Sequence, residues 1–296
     1  DIASLTMTDV SVVGPVTPSN ATTFLGVSGP DDGPSHGIVL VNIASVNATS
    51  VSVTGFALFG ALLVNTATTW TGGDVSGNIG TGLMVSGGDI ELQDVNILDT
   101  MDGGRLFPAY GAVFVGGATV ETQGLEVSDG DDYGLLHDNA SVRHVDLVAS
   151  RNDTGGVWVQ RCPSFEMSGS ETVLQDNQFA AVVLLETENA TISDAEIDGT
   201  IQMTRMFEAT GDVDVGDGIQ VVRPLGPVTL ANLTMSGNER IGLLLDMQGA
   251  SSMDDVALSD IEISGTGDQY GAAVQSIAAP SDWDAGITRI GATITN

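Results

Sequence analysis

Along this chain a short block of glycine followed by apolar residues keeps returning. It reads "GIVLV" at Gly37, "GALLV" at Gly60, "GLMVS" at Gly82, "GAVFV" at Gly111, "GLLHD" at Gly134 and "GVWVQ" at Gly156, then "AVVLL" at Ala181, "GIQVV" at Gly218, "GLLLD" at Gly242 and "GAAVQ" at Gly271. Successive anchors lie 23, 22, 29, 23, 22, 25, 37, 24 and 29 residues apart. Between anchors comes a second alternating segment, such as "DIELQDVNI" from Asp89, "TVETQGLEV" from Thr119, "ATISDAEI" from Ala190 and "PVTLANLTM" from Pro227. Asp94, Gly124, Asp194 and Asn232 break these segments near their middles. Alternation over such short spans predicts strands, the breaks predict tight corners, and no helical periodicity of useful length appears.

Three short strands in each repeat are what a right-handed parallel β-helix requires, because a single coil cannot bury its own apolar edge and must stack on neighbours. Over essentially its whole length the chain resembles the pectate-lyase-like β-helix superfamily. That resemblance implies an all-β solenoid of about ten coils, and it implies no single activity, since the superfamily includes lyases, hydrolases, epimerases, phage tailspikes and adhesins. At about 4.8 Å per coil the rod is roughly 50 Å long. We expect residues 1–296 to form one β-helix domain with loop insertions near 98–110, 200–216 and 250–268. Neither end carries a recognisable cap, so the chain reads as part of a longer protein.

Aligning the anchors sorts inside from outside. The first position after each anchor (Ile38, Ala61, Leu83, Ala112, Leu135, Val157, Val182, Ile219, Leu243, Ala272) and the third (Leu40, Leu63, Val85, Phe114, His137, Val159, Leu184, Val221, Leu245, Val274) form the expected lumen. The second position should face water. It holds Val39, Leu62, Met84, Val113, Leu136, Trp158, Val183, Gln220, Leu244 and Ala273. A stripe this apolar is too extensive to leave wet, so either the insertions fold over it or a partner does.

Composition narrows the partners. Thirty-nine acidic residues face eight basic ones, all arginine, for a net charge of −31. Nucleic acid and anionic membrane surfaces would repel such a chain. Salt adaptation, weak Ca²⁺ sites and plain solubility all fit this acidity. Cys162 is the lone cysteine, which excludes an internal disulfide and a thiolate metal cluster. No stretch is long and apolar enough for membrane insertion as a helix.

The densest polar cluster runs from Ser128 to Asp153 and includes Asp129, Asp131, Asp132, His137, Asp138, Arg143, His144 and Arg151. Asp131, Asp132 and Asp138 are candidate catalytic carboxylates for glycan chemistry, and Asp129, Asp131 and Asp132 a candidate Ca²⁺ site, the one cofactor the chain suggests. The competing reading takes such residues as solvated turn positions, together with Asn78, Asn152, Asn177, Asn238 and Asp268. Gly130-Asp131-Asp132 and Ser35-His36-Gly37 are similar to two polygalacturonase motifs but stand in reversed order, and "VWVQR" keeps Trp158 of a pectate-lyase strand with Gln160 and Arg161 in place of Asp and His. Turn chemistry accounts for the "N-A-[ST]" sequons at Asn47, Asn139 and Asn189.

Taken together, these features lead first to a non-catalytic extracellular or cell-surface module, adhesin-like, that contacts a protein partner or another copy of itself through the first sheet or the solenoid ends. The alternative is a carbohydrate-active enzyme acting on a polysaccharide through the Asp129–Asp138 region, and the third a tailspike-like fibre.

Overall fold

The computed structural model describes residues 3–14, 36–102, 109–207, 211–247, 256–265, 270–275 and 292–295. Within them the chain is a parallel β-helix. Each coil visits three faces and pairs only with the coils before and after it, as in Tyr133–Asp138, which lies between Ala112–Val115 and Gly155–Gln160. Phe59–Ser76 and Thr81–Leu98 are strands that run around a whole coil and pair with each other from Phe59↔Thr81 to Ser76↔Leu98.

The alignment of anchors coincides with the observed register. On the first sheet, Val39, Leu62, Met84, Val113, Leu136, Trp158, Val183, Gln220, Leu244 and Ala273 are successive partners, coil on coil. From Ile38 to Leu245 the flanking positions fill the lumen, where Leu63, Leu83, Phe114 and Leu135 are fully buried, whereas Ala272, also expected there, is exposed and Val274 half-buried. The anchor glycines are explained by crowding. A Cβ placed on Gly60, Gly82, Gly111 or Gly134 would come within 2.5 to 2.8 Å of the carbonyl oxygen of the next anchor. Side chains there would push neighbouring coils apart.

The corners are left-handed, as the mid-segment breaks predict. Asp94, Gly124, Asp194 and Asn232 all have φ between 50° and 63°. Asp and Asn tolerate this region better than other side chains. In the "N-A-[ST]" pattern each alanine turns inward and is buried (Ala48, Ala140, Ala190) while its asparagine stays exposed; of the three only Asn139 is a left-handed corner, and Asn47 lies within the strand Val46–Thr49.

Two expectations change. Asn78, Asn152, Asn177 and Asn238 are not solvated turn residues; they are buried inside the corner that leads from the third sheet to the first. Asn177 Oδ1 accepts from the Asn152 side-chain amide at 2.9 Å and from its backbone N–H at 3.2 Å, while Asn177 Nδ2 donates to the Ala149 carbonyl at 2.8 Å. A backbone corner buried against the next coil leaves polar groups without water, and the stacked amides satisfy them. Thr200 interrupts the column between Asn177 and Asn238, and both side-chain polar atoms of Asn238 lack a partner. Asp268 lies outside the described residues. The second change concerns the insertions. Within 250–268, Val256–Ser264 is regular coil paired to Val228–Ser236, and within 200–216 the strands Met203–Phe207 and Gly211–Val215 form an antiparallel hairpin. Residues 103–108 of the first insertion lie outside the described residues.

Asn177→Ala should cost about 3 kcal/mol of unfolding free energy, because three buried partners lose their bonds. Asn238→Ala should stay within about 1 kcal/mol of the parent, because it removes groups that already lack partners. Denaturant unfolding of both variants checks this contrast.

Candidate functional site

The outer face of the second sheet is built from strands that alternate strictly. In Thr119–Gln123 the burial runs exposed, buried, exposed, buried, exposed, and Val46–Thr49 and Ser141–Val145 follow the same beat. Register then stacks the outward residues into a column: Asn47, Thr69, Glu91, Glu121, Arg143, Glu166, Thr191. Beside it run Ala67, Asp89, Thr119, Ser141 and Ser164.

Three open hollows of about 320, 320 and 330 Å³ lie on this face. They overlap: the first two share Thr119 and Glu121, and the third shares Glu91 with the first and Arg143 with the second. They lie side by side along the axis, from Ser45 to Asn189, as shallow, open depressions in which the outward polar side chains alternate with apolar surface. Their lining offers hydroxyl groups, carboxylates and one guanidinium. Thr69 Oγ1 donates to Glu91 Oε2 at 3.4 Å, and Arg143 Nε donates to Glu166 Oε1 at 3.2 Å. Glu91 and Glu121 are direct neighbours on adjacent coils.

The Asp129–Asp138 region is arranged differently. Asp129 accepts two hydrogen bonds from Arg151, at 2.6 and 2.7 Å, and these hold its carboxyl below the usual carboxylate range. Asp138 is ion-paired with Arg161, whose Nε donates to it at 3.0 Å. Asp131 accepts the backbone N–H of Asp102 at 2.8 Å, and Asp132 is half-buried at the corner before Tyr133. Among the described residues no three His, Cys, Asp or Glu side chains group as a bound metal ion would need. His137 and His144, from the same segment, sit in the sealed lumen, with their Nε2 atoms 3.2 Å apart.

The apolar column of the first sheet is largely covered within the chain itself. Val39 is 38% exposed, whereas Leu62 (2%), Val113 (5%), Val183 (2%) and Leu244 (7%) are buried. Met84, Leu136 and Trp158 are half-buried. Around Val183 the cover is visible: Phe179, Ala180, Val215 and Met203 pack with it, so the 200–216 hairpin lies over this part of the sheet. Next to it Asp217, fully buried, takes hydrogen bonds from Arg240 Nε at 2.6 Å, from Arg240 Nη2 and from Gln220 Nε2 at 2.8 Å. That explains why Gln220 alone is amide-bearing in its column.

No protein-family profile and no curated protein sequence matches the chain. Among solved structures it is similar to the crystal structure of the periplasmic alginate epimerase AlgG, at 12% identity and a TM-score of 0.33, over 82% of this chain and 75% of that one. The second-sheet face therefore has to be read from its own residues. The column is implicit in the sequence: aligning the second segments "DIELQ", "TVETQ", "SVRHV" and "SFEMS" as the anchors align brings Glu91, Glu121, Arg143 and Glu166 together.

Each arginine whose side chain is described, Arg143, Arg151, Arg161, Arg223 and Arg240, is already paired with a carboxylate. Most acidic residues therefore have no cation to pair with. Added salt should screen their repulsion and raise the denaturation temperature between 0.1 and 1 M NaCl, where the Debye length falls from about 10 to 3 Å. A temperature that falls with salt in thermal melts would mean instead that the ion pairs dominate.

Proposed function

We propose that this chain is an extracellular or cell-surface β-helix of the pectate-lyase-like kind that binds an extended polysaccharide along the outer face of its second sheet. One observation carries the reading: three adjoining open hollows spread over seven coils along the solenoid axis, whose outward side chains are Thr, Ser, Asn, Asp, Glu and Arg143. Stacked coils present an equivalent row of side chains about every 4.8 Å, close to the advance of one sugar in an extended β-linked chain. Hydroxyls and carboxylates at that spacing suit repeated hydrogen bonds to sugar hydroxyls. Asp89, Glu91, Glu121 and Glu166, on a chain of charge −31, favour a neutral polymer over a polyuronate.

The covering of the first-sheet column weighs against that column as the contact surface, and with it against a protein-binding adhesin face at Val113 or Val183. A catalytic version of the proposal rests on Glu91 and Glu121. Carboxylates one coil apart are near the separation of about 5 Å used by retaining glycosidases. The Asp131, Asp132 and Asp138 set would require the ion pair of Asp138 to open.

Affinity electrophoresis in gels cast with neutral, acidic and amino polysaccharides tests the reading. Retardation by a neutral polymer is expected, with at least a tenfold loss of affinity in Thr119→Trp, which puts an indole across the two hollows that Thr119 lines. No retardation in any gel would refute the proposal. Release of shortened chains, abolished in both Glu91→Gln and Glu121→Gln, would establish the catalytic version.

A further inference from the structure

We propose that the paired histidines His137 and His144 make the middle of the solenoid acid-labile, so that mild acidification opens the coils around them. The two rings face each other across the lumen with Nε2 to Nε2 at 3.2 Å, and both residues are fully buried. His144 Nδ1 is bonded to Thr122 Oγ1 at 2.7 Å; His137 Nδ1 is buried without a partner. Phe114 stacks on His137 with ring centroids 5.2 Å apart, and Phe165 packs against both rings. One shared proton satisfies the contact between the rings: one Nε2–H donates and the other nitrogen accepts. A second proton at that contact would set two donors against each other, and one on His137 Nδ1 would find no acceptor; either places a charge in the buried apolar lumen.

Nothing around the pair can take that charge. The neighbouring lumen residues are Phe114, Val159, Thr122, Phe165 and Met167. The charged residues of the same and flanking strands, Asp138, Arg143, Glu121, Glu126 and Glu166, alternate to the outer face. Cys162, buried in the adjoining corner, donates its thiol to the Gln160 carbonyl, and burial raises its pKa, so it too stays neutral. Burial accordingly lowers the pKa of both imidazoles, to about 3 for His144 and well below the ordinary value for His137, where the neighbouring His144 adds to the effect.

The sign follows from linkage. Above the unfolded value of about 6.5 both states are neutral and the pair costs nothing; below it the unfolded chain binds protons that the folded chain refuses, so stability falls with falling pH until the folded values are reached. For two such histidines the unfolding constant should rise about a hundredfold between pH 7.5 and 5.5. His36, half-buried and also lowered by burial, adds a smaller contribution of the same sign.

The test compares denaturant unfolding at pH 7.5 and 5.5 for the parent and for His137→Leu/His144→Leu. The double variant keeps His36 and every surface carboxylate, so those contributions cancel in the difference. The proposal expects the variant to lose about a hundredfold of the pH effect. Equal pH effects in the two proteins would overturn it. Should the double variant fail to fold, imidazole NMR of the parent decides: both rings neutral in the folded protein at pH 5.5 supports the proposal, and a protonated ring at 137 or 144 overturns it.

Discussion

Everything in this molecule depends on stacking in register. Parallel pairing at about 4.8 Å puts each residue directly over its counterpart in the coils above and below, so whatever one coil places at a position, its neighbours must accommodate. The anchor glycines are the tightest case, since the carbonyl of the next coil occupies the space a Cβ would need. The lumen is the most demanding case, because each coil must supply an apolar layer that fits two others.

The same constraint governs charge. Stacking brings like charges together, as Glu91 and Glu121 are, in a chain with no lysine and few arginines. Two arginines sit within the corner columns against stacked carboxylates. Arg151 over Asp129 and Arg161 over Asp138 join neighbouring coils at their corners, even though both arginines must adopt φ above 50° to do so. Such exposed pairs contribute little to stability, because solvent screens them. They also occupy Asp129 and Asp138, two of the carboxylates in the densest polar cluster of the sequence.

Much of the fold was legible because stacking is periodic. Ten aligned anchors located the lumen columns and the outward column between them, and the breaks at Asp94, Gly124, Asp194 and Asn232 located left-handed corners. What escaped was aperiodic or ambiguous in side. Asn152 and Asn177 look like any turn asparagine, and only the packing of the corner against the next coil turns them inward. The cover over Val183 comes from a hairpin with no counterpart in the other repeats among the described residues. The second-sheet face was readable in principle. Its column emerges once "DIELQ", "TVETQ", "SVRHV" and "SFEMS" are stacked, but a charged column on a very acidic chain looks like ordinary surface until the hollows beside it are seen.

If register is the governing constraint, the chain should tolerate the loss of a whole coil and nothing less. Excising residues 60–81 joins Phe59 to Gly82 and would set Ile38 on Leu83, with lumen, corners and anchors still matched. Excising residues 60–70 removes half a coil and sets inward positions over outward ones. Circular dichroism with denaturant unfolding measures the outcome. The account predicts a cooperative β-sheet protein for the first deletion and loss of cooperative unfolding for the second; equal stability of the two, or collapse of the whole-coil deletion alone, would contradict it.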